Sequence, residues 1–146
     1  MTRAEDALGR QRQIGRALRR ARLAIYLGVV LVVAYHVWRY DLTQLPAGGV
    51  SPLEDVPPGS RLVVDLFPRA LVAGDAVLYR DSGGQLLLGR VSAPPDSAPA
   101  SVLDACERGA LWVRKDRPEV PGADSLLLGP LERSAIVGRI ALALPW

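Results

Sequence analysis

Apolar and polar positions follow two patterns along this chain. Residues 23–38 (LAIYLGVVLVVAYHVW) form one continuous apolar run without an Asp, Glu, Lys or Arg. As a helix rising about 1.5 Å per residue, the run spans about 24 Å, a little less than the roughly 30 Å hydrocarbon core of a bilayer. Arg22 and Arg39 flank it and can snorkel outward, and Trp38 and Tyr40 suit the headgroup level. Beyond it, apolar stretches are short and punctuated by Gly, Pro and Asp. Residues 61–67 (RLVVDLF), 75–80 (DAVLYR), 85–92 (QLLLGRVS), 110–115 (ALWVRK) and 135–144 (AIVGRIALAL) each read as a strand, the last bent at Gly138. Asp81-Ser82-Gly83-Gly84 marks a hairpin turn. The proline-bearing stretches 93–100 and 117–124 read as loops, 126–128 is too short to assign, and no helical period of useful length follows the first run. The pattern predicts a mainly β protein: one N-terminal transmembrane helix, then a small antiparallel β-domain.

Charge orients this arrangement. Arg3, Arg10, Arg12, Arg16, Arg19, Arg20 and Arg22 precede the run against only Glu5 and Asp6. The positive-inside rule places residues 1–22 in the cytoplasm as a basic tail, 23–40 in the membrane as a signal anchor, and 41–146 outside. The expected location is the inner (plasma) membrane, single-pass, with a periplasmic C-terminal domain. A cleaved signal peptide would need small residues near the end of the run, where Tyr35, His36, Val37 and Trp38 stand instead. The basic excess is confined to the tail, so it is no nucleic-acid footprint and suits anionic lipid headgroups. An amphipathic helix over residues 5–22 would have few apolar residues to bury.

The inventory of reactive groups is short. The only cysteine, Cys106, excludes an intramolecular disulfide and reads as a small buried apolar residue. The only histidine, His36, lies in the apolar run and reads as interfacial, so neither a zinc site nor a histidine-based mechanism is expected, nor any cofactor. No Gly-rich phosphate loop is present. Serine chemistry remains, and it needs a base. Without histidine that base could only be the single lysine, Lys115, because arginine does not deprotonate in proteins.

The order of segments resembles the bacterial type I signal peptidases, which carry an N-terminal anchor, a serine soon after it and a β-rich outer domain. Their serine box has the general form S-M-x-P-T-L-x-x-G-D. Here Ser51-Pro-Leu-Glu-Asp-Val-Pro-Pro-Gly59-Ser60 keeps the spacing from serine to glycine, but not the Met, Pro, Thr or Asp. The next block, G-D-V-V-x-F, is matched by Gly74-Asp75-Ala76-Val77-Leu78-Tyr79. The following K-R-V is matched by Gly89-Arg90-Val91, with Gly89 at the position of the general-base lysine. The last block, S-x-D-S-R-x-x-G and then I-x-G-(K/R), is matched by Asp124, Ser125 and Gly129 and by Ile136-Val137-Gly138-Arg139. Gly122 and Leu126 replace the family's Ser and Arg.

The resemblance spans residues 23–146 and implies a signal-peptidase-type fold. It offers Ser51 as nucleophile, Lys115 as a substitute base reaching in from another strand, and Asp124 and Ser125 as support. The simpler readings are a solvated charge for Lys115 and a backbone-bonding turn for Asp124-Ser125. Losses at three blocks imply a domain that no longer hydrolyses. It would bind extended peptide by strand addition or serve as an accessory subunit of a membrane complex, beside the lipid bilayer. The alternative is an active membrane-bound serine endopeptidase. Residues 142–146 either pack on the domain or enter the membrane interface.

Overall fold

A computed structural model of the chain describes residues 3–48 and 50–145, without the side chains of residues 3–14, 16 and 17. The chain divides into two compact units, Met1–Trp38 and Arg39–Trp146. The first is helix α1 (Arg3–Arg39), 37 residues long and unbroken across the junction between basic tail and apolar run. Its segment Leu18–Arg39 is long and apolar enough to cross a membrane, and none of it is buried within the protein. His36 Nδ1 bonds back to the Val32 carbonyl at 2.8 Å, so part of its polarity is met within the helix.

The second unit is a six-stranded, wholly antiparallel sheet ordered β1-β2-β6-β3-β4-β5. The strands are β1 (Tyr40–Gln44), β2 (Arg61–Asp65), β3 (Ala76–Arg80), β4 (Leu86–Ser92), β5 (Trp112–Arg114) and β6 (Ile136–Leu144). Five of them fall on the five strand-like runs. The β3–β4 hairpin is closed by Asp81, whose Oδ1 accepts the Gly83 and Gln85 N–H groups at 2.9 and 2.8 Å, with Gly84 at φ 80°. Strand β6 lies between β2 and β3 and carries register shifts against both. Gly138 stands beside one of them, at the bend expected there. A Cβ at this position would lie 2.6 Å from the Asp65 carbonyl oxygen, so the two backbones can approach only around a glycine.

Two elements depart from the pattern-based expectation. Strand β1 has one strongly apolar residue, Leu42, and that residue is exposed; the strand exists because it pairs with β2. Helix α2 (Ala100–Glu107) follows the proline-rich loop and buries no residue, so it lacks the apolar face that a helical period would reveal. A single turn, α3 (Ser125–Leu128), covers the stretch that was too short to assign.

Side chains alternate across the sheet and build two cores. On one face, Leu62, Val64, Leu78 and Leu88 pack under Leu53 and Val56 from the segment between β1 and β2. On the other, Val77, Tyr79, Val91 and Val113 pack under Leu131, with Leu71 and Leu128 alongside.

Candidate functional site

The Ser51 segment is pinned to the first face. Its own apolar residues, Leu53 and Val56, are 0% and 2% exposed. Arg90 of β4 fastens its polar side: one guanidinium nitrogen reaches Asp55 Oδ1 at 2.6 Å and Asp116 Oδ2 at 2.9 Å, and another donates to the Gly74 carbonyl at 2.8 Å. Asp116 Oδ2 accepts the Glu54 N–H at 3.3 Å, and the Asp116 and Arg117 N–H groups both donate to the Pro52 carbonyl. Hydrogen bonding and charge from Arg90 hold the Asp116 carboxyl below its ordinary range despite partial burial. The same pairing pushes the Arg90 guanidinium further up.

Within this clamp, Ser51 is 4% exposed, and its Oγ accepts the Leu53 N–H at 3.2 Å in a local turn. Among the described residues, no amine, imidazole or carboxylate is hydrogen-bonded to that hydroxyl. It lines a pocket of about 140 Å³ with Leu45, Pro46, Val50, Pro52 and Pro58.

Lys115 is engaged elsewhere. Its Nζ donates to the carbonyls of Val120 (2.6 Å), Gly122 (2.9 Å) and Pro118 (3.5 Å), which match the three donors of an ammonium group. It staples the 118–122 loop. Gly89 pairs with Val77 on the Tyr79 face, opposite the face that the Ser51 segment covers. A Cβ there would run into Val113 Cγ1 and stand 3.1 Å from the Arg114 carbonyl and 3.2 Å from Tyr79 Cε1. The β4 residues directed at the Ser51 segment are Leu88 and Arg90, a hydrocarbon side chain and a cation already paired. Tyr79 closes the other face by donating its hydroxyl to the Ala123 carbonyl at 2.6 Å. Burial, reinforced by the nearby Asp124 and Asp81 charges, pushes that phenol up to about 12.

Asp124 and Ser125 sit together at the start of α3, 4% and 1% exposed. Asp124 caps the turn by accepting the Leu126 N–H at 3.0 Å, and its other oxygen stands 3.4 Å from the Lys115 N–H. Arg114 Nε lies 3.3 Å from the same oxygen, close enough for an ion pair but not aimed for a hydrogen bond. Arg114 of β5 is thus the cation beside Asp124. Ser125 Oγ accepts the Val113 N–H at 2.8 Å. Asp124 thus bonds its own turn, as expected, and both side chains also bond the outward edge of β5.

Sequence reasoning overlooked Arg90 and Asp116. The signal for Arg90 was a charge at an inward position of a strand, between buried Leu88 and Val91, whereas Asp116, beyond the end of β5, carried none. Cys106 is a free, half-buried thiol on α2. Among the described residues, no group of three His, Cys, Asp or Glu side chains is placed to hold a metal. No protein-family model matches the chain, and no curated protein matches it.

Proposed function

We propose that the chain is a single-pass protein of the inner membrane, with its N-terminus cytoplasmic. Its signal-peptidase-like outer domain binds an extended peptide or a partner subunit and does not cut it. One observation carries this reading: among the described residues the Ser51 hydroxyl has only the Leu53 N–H on it, while the single lysine is committed to three carbonyls. General-base assistance is worth about 10²–10⁴-fold in such chemistry, and no described residue is placed at Ser51 to supply it. The open edge of β1, just upstream of Ser51, supports binding by strand addition. Its Gln44 N–H turns away from β2, since the register puts the alternate residues Arg39 and Leu45 in hydrogen bonds with β2 and its flanks.

The test is full-length protein in lipid nanodiscs, incubated with a signal-peptide-bearing substrate. The expected result is intact substrate, together with stable co-purification of a membrane partner from native membranes. Cleavage that disappears in Ser51→Ala would replace this reading with the active serine endopeptidase. Loss in Lys115→Ala as well would name its base.

A further inference from the structure

We infer that the strand added to the β1 edge carries a basic side chain, and that Asp41 selects it. Arg39 and Leu45 turn their backbone groups toward β2 and its flanks, so by alternation Leu42 and Gln44 turn theirs outward. The Leu42 N–H is already taken, because Asp41 Oδ1 accepts it at 2.9 Å. A carboxylate thus caps the middle of the open edge, and an arriving strand must displace it before pairing at Leu42. Asp41 is exposed, and among the described residues it makes no ion pair.

That exchange is uneven for a neutral strand and balanced for a basic one. A carbonyl of the arriving strand takes over the Leu42 N–H, and the displaced carboxylate loses a charge-assisted hydrogen bond. A Lys or Arg beside it returns that bond, whereas an Asp or Glu there would face a like charge. The register sets Asp41 opposite Val64 and Leu42 opposite Val63, so their side chains lie on opposite faces. Val64 belongs to the first core, which puts Asp41 on the face that the Ser51 segment covers. In an antiparallel addition, Leu42 occupies a hydrogen-bonded pair and Asp41 the adjoining non-hydrogen-bonded pair. Side chains approach most closely in the latter, at about 4.5–5.5 Å between Cβ atoms. Leu42, 73% exposed, accommodates an apolar residue on its own face. The selected segment is therefore an extended peptide in which an apolar residue, opposite Leu42, adjoins a Lys or Arg beside Asp41. This inference rests on the strand addition proposed above, and adds to it the charge of the partner.

The test uses the full chain in phosphatidylcholine nanodiscs, with empty nanodiscs as the blank, and reads binding by fluorescence anisotropy. Three labelled peptides of alternating Val and Thr differ at one central Thr position, which carries Lys, Gln or Glu. The Lys peptide should bind about 2–5-fold more tightly than the Gln peptide, and the Glu peptide more weakly than either. Added salt should narrow the differences. Asp41→Asn, which keeps an oxygen to cap the Leu42 N–H but no charge, should abolish the order, and Asp41→Lys should reverse it. Equal binding of the three peptides by the unaltered chain would overturn the inference. So would an order that survives in Asp41→Asn or Asp41→Lys, which would mean that other carboxylates set it. Gln44→Pro tests the strand addition separately. If it abolishes binding while the unaltered chain shows no order, the role of Asp41 alone is wrong. If it leaves binding intact, or if none of the three peptides binds the unaltered chain, the addition falls and this selection falls with it.

Discussion

The two edges of this sheet are treated in opposite ways. At β5 the outward backbone groups are met one after another. Leu111 exchanges hydrogen bonds with Leu131, the Val113 N–H goes to Ser125 Oγ, and the Lys115 N–H faces Asp124. The residues behind that edge, Trp112 and Val113, are buried. Along residues 41–44 of β1 the comparable contact is local: Asp41 Oδ1 accepts the Leu42 N–H at 2.9 Å. An unpaired strand edge invites pairing with another chain, and folds normally blunt it. A domain that seals one edge with two buried side chains and leaves the other open has one edge available for the proposed strand addition. The residues that the family resemblance offers as catalytic support, Asp124 and Ser125, belong to the sealed edge.

Ser125→Ala should break this contrast most severely. It leaves the buried Val113 N–H without its acceptor, and an unsatisfied buried donor costs about 1–3 kcal/mol. Denaturant unfolding of the full chain in detergent should show that loss, and hydrogen exchange should locate it at the Val113 amide. Gln44→Ala, at an exposed position on the open edge, is expected to change stability by no more than about 0.5 kcal/mol, as substitutions away from buried features usually do. Equal costs at the two positions would remove the distinction between the edges.

Much of the sheet was legible because strand-length apolar runs between Gly, Pro and Asp turns leave few alternatives. The Asp81 turn and the bend at Gly138 follow from local chemistry alone. Strand β1 was not legible. Its five residues, YDLTQ, bury little, and their strand state depends on β2, twenty residues onward. Helix α2 was hidden for the same reason, having no buried face to give it a period. At the candidate site, Ser51 and its apolar flanks could be read from spacing, but the face on which position 89 projects could not. That face is set by strand alternation in the folded sheet, and a one-residue shift in matching Gly89-Arg90-Val91 would reverse it. Similarly, the partners of Lys115 are carbonyls, which carry no side-chain identity to read.

Each half of the sheet also has an Arg–Asp pair whose carboxyl is held low, Asp65 with Arg39 and Asp116 with Arg90, and acid should release both. Burial pushes the Asp65 carboxyl up, but hydrogen bonds from Arg39 and the Phe67 N–H, with the Arg39 and Arg139 charges, outweigh it and leave its pKa below the ordinary 3.8. Arg90 lowers Asp116 in the same direction. A carboxyl lowered in the folded state stabilises fully above its unfolded pKa and loses that contribution as pH falls through its folded one. The denaturation midpoint should therefore stay level from neutral pH down to roughly pH 5 and fall below about 3.8. Asp65→Asn should shrink that acid limb through the β1–β2 pair, and Asp116→Asn through the Ser51 clamp. An acid limb unchanged in both variants would mean that other carboxylates control it.

The smallest effect on stability should accompany the largest effect on binding. On either side of β1, Arg39 and Leu45 use their backbone groups toward β2 and its flanks, so by alternation Gln44 has its N–H on the outer side. Proline at 44 removes only that outward donor, and edge strands tolerate proline where the N–H faces solvent. Gln44→Pro should leave the unfolding midpoint nearly unchanged and abolish any complex formed by strand addition, read as loss of partner co-purification from native membranes. The matching loss on the sealed side, Ser125→Ala, should weaken the fold and leave the bound fraction of folded protein unaltered. If Gln44→Pro retains its partner, the open edge is not the binding edge. Recognition would then fall to the pocket beside Ser51 or to the membrane helix, whatever the β1 edge offers.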